Sequence, residues 1–125
     1  MGTKDTVERF WTLMATNEFA RVGEVLAEDF LLHWPQSGER IRGAANFAGM
    51  NQDYPAQGRW QFDVRRLLVD GNQAVTETHV TDGTVIGTAV SFFTVADGRI
   101  TTITEYWPDP FPAPANRARW VETGP

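Results

Sequence analysis

Apolar residues recur with a helical period at the start of the chain and with a period of two in its second half. Val7, Phe10, Trp11 and Met14 fall at i, i+3, i+4 and i+7, the spacing of an amphipathic helix with one buried face. Asp5 and Glu8 resemble a capping box, and Asn17 is a natural stop. Residues 18–27 predict a second short helix, with Phe19, Val22 and Leu26 on one face. FLLHWP at 30–35 predicts a short strand closed by Pro35. SGERIRG follows as a polar turn or short hairpin. Residues 44–51 predict a third helix with Phe47 and Met50 inward.

From Arg59 the period becomes two: Trp60, Phe62 and Val64 alternate with Gln61 and Asp63. Asp-Gly pairs at 70–71, 82–83 and 97–98 separate apolar runs, and such pairs tolerate the positive φ of tight hairpins. Four strands are therefore expected at about 59–69, 73–81, 84–95 and 99–107, joined as an antiparallel meander. Helix, helix, strand, helix, then meander predicts an α+β fold with helices on one face of a curved sheet. The expected inward residues are Leu32, Trp34, Trp60, Phe62, Val90, Phe92, Ile103 and Trp107. Phe93, Val95 and Ala89 then form an outer apolar stripe, which predicts a homodimer. Four prolines from Pro108 to Pro114 make the tail extended.

Composition narrows the function classes. At 125 residues the chain fits one domain, residues 1–125, with a real core. A net charge of -5 argues against a nucleic-acid or anionic-membrane partner. The absence of cysteine excludes disulfides, thiol catalysis and thiolate metal sites. No apolar run suggests a leader or a membrane span, so a cytoplasmic protein is expected. Most of the five Trp and eight Phe are expected to be buried, with some free to line a cavity for a small apolar molecule. No phosphate-binding loop, dinucleotide fingerprint or nucleophilic triad is present, and no cofactor or metal is expected.

The stretches FWTLMATNEFARVGEVLAEDFLLHWP and SFFTVADGRITTITEYWPDP resemble the nuclear transport factor 2-like superfamily, in particular its SnoaL-like, polyketide-cyclase branch. The resemblance covers nearly the whole chain. It implies a cone in which a curved antiparallel sheet wraps the N-terminal helices and leaves a hydrophobic pocket, often in a homodimer. Its ketosteroid isomerases use three polar groups whose positions here are held by Trp34, Phe10 and Val90, so all three polar roles are missing. Its epoxide hydrolases place an acid on the last strand, where TEYW puts Glu105. Their partner arginine and second acid correspond to His79 and Thr81.

Glu105 lies between Ile103 and Trp107 on one strand face, because strand side chains alternate. A carboxylate between large apolar neighbours is a candidate pocket acid. On the second meander strand Val75, Glu77, His79 and Thr81 share a face. If both faces point inward, Glu105 and His79 form an acid/base pair oriented by Glu77. Trp34, Trp107, Val90, Phe92 and Met14 are candidate walls, with Tyr54 at the mouth. His33, beside Trp34, faces outward. Burial raises the Glu105 pKa and a nearby imidazolium opposes it. Glu105→Leu is expected to stabilise the fold if the charge is held only for function. Two functions remain open: acid/base catalysis on an apolar, oxygenated substrate, or a non-catalytic binding or dimerisation module.

Overall fold

The apolar stripe of the N-terminus becomes helix α1 (Thr3–Ala15) in a computed structural model that describes residues 2–124. Val7, Phe10, Trp11 and Met14 are all buried on it. The expected capping box does not form. The helix is capped three residues earlier, at Gly2, without a side-chain cap, and Asp5 sits in the first turn, where its charge suits the helix dipole. Asn17 does end the helix, at φ 61°. Its side chain donates to Trp60 O at 2.8 Å and accepts from Trp60 N at 2.8 Å, tying the helix end to the start of the meander.

The second expected helix is a 3₁₀ segment, Phe19–Val25. Seven residues containing Gly23 and two valines support no α-helix of their own. A Cβ at Gly23 would stand 3.4 Å from that of Ala44, so the segment lies close to helix α2 (Gly43–Asp53). Strand β1 (Leu26–Trp34) follows and turns into β2 (Glu39–Arg42), the hairpin foreshadowed by SGERIRG.

The meander consists of β3 (Gln61–Asp70), β4 (Gln73–Thr81), β5 (Ile86–Ala96) and β6 (Arg99–Tyr106). All four strands fall within two residues of their expected bounds. Asp97 and Gly98 both have positive φ, as a two-residue hairpin turn requires. The six strands form one sheet in the order β2-β1-β6-β5-β4-β3. Its pairs are antiparallel except where β1 runs parallel to β6, so the sheet is mixed. The helices share one face of it: α1 packs on β3 to β6, and α2 on β1, β2 and the 3₁₀ segment.

The core between helices and sheet is aromatic. Phe10 meets Trp11, Phe47 and Phe93, and Phe30 meets Phe47 edge-on at 5.7 Å between ring centres. Such pairs add to area burial because ring edges are electropositive and ring faces are not.

The inward phase of two strands differs from expectation. On β5 the buried residues are Ala89, Ser91, Phe93 and Val95, while Phe92 is 48% exposed. On β4 they are Ala74, Thr76, Thr78 and Val80. Val90, Phe92, Glu77 and His79 therefore lie on the outer face, and the supposed outer stripe of Ala89, Phe93 and Val95 is core. The tail beyond Trp107 is extended and exposed, with a 3₁₀ turn at Ala115–Arg117. Among the described residues no helix is long and apolar enough to cross a membrane.

Candidate functional site

Pairing in the sheet sets four inner-face residues in a row across four strands. Thr76 opposes Ser91, and Ser91 opposes Glu105. Because His33 pairs with Thr104, Trp34 comes beside Glu105. This row is a polar strip on a largely apolar face. Trp11 Nε1 donates to Thr76 Oγ1 at 3.1 Å from the helix layer.

Glu105 is only 6% exposed. Ser91 Oγ donates to its Oε2 at 2.6 Å. The indole nitrogens of Trp34 and Trp107 both donate to its Oε1, each at 3.1 Å. Burial pushes its pKa above the ordinary 4.5, while Ser91, Trp34 and Trp107 pull the other way without cancelling it. An indole N–H cannot accept a hydrogen bond, so Oε1 is an acceptor in either charge state. When the carboxyl is neutral its proton belongs on Oε2, facing Ser91. The site therefore has a defined proton position, beside a hydroxyl that donates to the carboxylate and can accept a hydrogen bond from the neutral carboxyl.

The structure brings Glu105, Trp34 and Trp107 together, and the two tryptophans act as hydrogen-bond donors to the carboxylate. His79 does not join them. It sits on the outer face opposite Asp63 and Thr88. Glu77 lies on that face too, paired with Arg66 at 3.1 Å. Charged groups on β4 gain water there at no packing cost, which decides the strand's phase. Val90 faces outward, and Phe92 packs edge-on against the outer-face Tyr106. Met14 is buried in the helix-sheet core. Tyr54 is exposed and leans on Trp60, ring centres 6.0 Å apart.

Ser91 was not singled out in the sequence, although it bonds the key carboxylate. The only signal was its place opposite Glu105, which needs the register of β5 and β6. Two surface clefts of about 340 Å³ lie away from Glu105. One is lined by Gln61, Phe62, Asp63, Arg65 and His79 at the β3–β4 end, the other by the tail around Pro114. Among the described residues no three His, Asp or Glu side chains gather as a metal site.

The profile of the SnoaL-like domain matches residues 7–103. The chain belongs to the SnoaL-like domain family. Its fold is nuclear transport factor 2-like, as its solved relatives show. A candidate ketosteroid isomerase from Kribbella flavida DSM 17836 is 33% identical, with a TM-score of 0.89 over 98% of this chain and 90% of its own. A nuclear transport factor 2-like protein of unknown function from Burkholderia xenovorans LB400 is 28% identical, with a TM-score of 0.80 over 98% and 95%. An LEH-like epoxide hydrolase from M. tuberculosis is 25% identical, with a TM-score of 0.68 over 83% and 80%. No curated protein sequence matches the chain.

Proposed function

We propose that this SnoaL-like protein binds a small apolar, oxygenated molecule against the inner face of its sheet and exchanges a proton with it through Glu105. The observation that carries the reading is the environment of Glu105: a buried carboxyl among two indoles and a serine, with its pKa raised by desolvation. A carboxyl whose pKa is raised holds a proton more readily than a free one, the property a general acid needs. The relatives described as a candidate ketosteroid isomerase and an LEH-like epoxide hydrolase fit this class of chemistry. The absence of a histidine partner makes Ser91 the group that positions the proton.

The test is solvent deuterium incorporation into a panel of enolisable ketones, followed by NMR. Wild type is expected to catalyse exchange into at least one ketone, and folded Glu105→Gln is expected to lose it. A second reading, a binding module without catalysis, draws on one fact: all three hydrogen bonds to Glu105 come from the chain itself. Ligand binding by wild type with no exchange above the uncatalysed rate in any ketone establishes that reading instead.

We also propose that two copies associate through the outer sheet face. Phe92 and Tyr106 form an exposed aromatic pair there, and Leu68 is 65% exposed, a patch that water solvates poorly. Sedimentation is expected to give a dimer that Phe92→Lys dissociates. A wild-type monomer at micromolar concentration rules the proposal out.

A further inference from the structure

Thr78 has no measurable exposure, and its hydroxyl is a buried side-chain oxygen without a hydrogen-bond partner. The neighbouring polar groups of the inner face are all engaged: Thr76 by Trp11, Ser91 by Glu105, Glu105 by two indoles. A valine at 78 would fill the same space without desolvating a hydroxyl. The hydroxyl thus costs stability where it stands and has no partner among the described residues.

The residues beside Thr78 explain what could reach it. Thr78 opposes Ala89, and the next inner pair is Val80 with Gly87. Alanine and glycine make a low floor. The Trp107 indole lies over the glycine end of that floor, its ring carbons 3.5 Å from where a Gly87 Cβ would be. The same indole donates to Glu105 Oε1. Its backbone is pinned to Gln36, which accepts from Trp107 N at 2.6 Å and donates to Trp107 O at 3.3 Å. The side chain is half-buried and follows the last residue of β6. A turn of χ1 in Trp107, with its backbone held, would free an oxygen of Glu105 and open the Gly87 end of that floor in one movement.

We propose that Thr78 is the second polar anchor of the Glu105 site, reached when the Trp107 indole swings off the Ala89–Gly87 floor. This rests on the reading of the inner face as a ligand site and deepens it. The ligand it fits is flat and apolar, with a hydrogen-bond donor at one end and an acceptor oxygen at the other. The donor takes the place of the Trp107 N–H at Glu105, and the acceptor receives the Thr78 hydroxyl proton. Two strand spacings across and two residues along place the Thr78 and Glu105 Cα atoms on the order of 12 Å apart. Side chains reaching inward from both ends leave room for a molecule about the length of two fused rings.

The experiment compares two fluorescent probes, 6-acetyl-2-naphthol and 2-naphthol, on wild type, Thr78→Val, Thr78→Ser and Glu105→Gln. Thr78→Val is expected to weaken the acetyl probe about five- to tenfold, the worth of one hydrogen bond, and to leave 2-naphthol unchanged. Thr78→Ser should restore the acetyl probe. Thr78→Val should also melt a few degrees above wild type, because it removes an unpaired buried hydroxyl; a hydroxyl with a structural role would give a lower melting temperature. Equal binding of the acetyl probe by wild type and Thr78→Val, or a melting temperature lowered by valine and restored by serine, overturns the proposal. If 2-naphthol binding still depends on Glu105 in that case, the ligand site stands and only the Thr78 anchor falls. If wild type binds neither probe, both fall.

Discussion

Two carboxylates of low exposure in this chain have their pKa values shifted in opposite directions. Asp82, at the β4–β5 turn, is 7% exposed and Glu105 is 6% exposed. Asp82 accepts three backbone N–H groups: Gln57 at 2.8 Å, and Thr84 and Val85 at 2.9 Å each. These bonds, Gln57 first, hold its carboxyl below the ordinary 3.8. Glu105 also has three donors, yet burial outweighs them and its pKa rises. The difference lies in what surrounds the donors. Peptide groups around Asp82 form part of a surface turn, whereas the donors to Glu105 are set in an aromatic interior. Low exposure alone therefore does not separate a structural carboxylate from a candidate working one; the balance of dipoles and apolar surroundings does.

The sharpest break of that comparison is removal of Glu105. Glu105→Leu leaves two indole N–H groups and the Ser91 hydroxyl without their acceptor, so it is expected to cost about 2–4 kcal/mol in urea unfolding. This reverses the stabilisation expected from sequence, where the donors were not visible. Glu105→Gln keeps an acceptor for the indoles and should stay within about 1 kcal/mol of wild type. Equal stability of the leucine and wild-type proteins would show that the three hydrogen bonds contribute nothing.

Next in size is the turn. Asp82→Ala should lower the melting temperature more than Asp82→Asn, which retains an acceptor for part of the set. Carbonyl O of Asp82 would stand 2.8 Å from a Cβ at Gly58, so the loop before β3 packs directly on this turn and should loosen with it. Amide exchange at Gln57 is the direct readout.

The pH dependence sharpens the contrast further. Asp82 holds its proton less tightly folded than unfolded, so its stabilisation is full above about pH 4 and fades as pH falls through the lowered folded value. Glu105 holds its proton more tightly folded than unfolded. Its contribution is complete in acid and is lost as pH rises from 4.5 through the raised folded value. Urea melts from pH 3 to 8 should show Asp82→Asn flattening the acid limb and Glu105→Gln flattening the decline above it. The smallest effect is expected from His79→Ala, which sits on the outer face and should change stability by no more than about 0.5 kcal/mol. It should leave the Glu105 titration in place; a shifted Glu105 pKa would revive the pairing expected from sequence.

Strand bounds were legible because Asp-Gly turns and proline stops punctuate the meander. Strand phase was legible on β6, where Ile103 and Glu105 point inward as the alternation requires. It was not legible on β5, because the doublets Ala89-Val90 and Phe92-Phe93 fit either phase equally well. On β4 alternation allows either Glu77 and His79 or Thr76 and Thr78 to face inward, and the cost of burying charge decides for the threonines. Thr76 and Thr78, the residues that do face inward, carry β-branched side chains that suit a strand and give no sign of a site. The candidate site was thus half visible: its acid and two tryptophans came from β6 and β1, while Ser91 and Thr78 needed the register of the sheet.

The parallel seam between β1 and β6 has a consequence for the order of assembly. Hairpins of the meander close over turns of a few residues, whereas Trp34 and Glu105 are 71 residues apart in sequence. Closing that loop costs about 2–3 kcal/mol more chain entropy than closing a four-residue turn. The seam is therefore expected to form late in folding, after the meander, as long-range pairing generally does. Glu105 would spend the early part of folding without Trp34, its carboxylate open to water and its strand edge unpaired. Pulse-labelled amide exchange should find β4 and β5 protected before Leu32 and His33, and a slowly closing seam would make the nascent β6 edge the point at which the chain is most open to pairing with another copy.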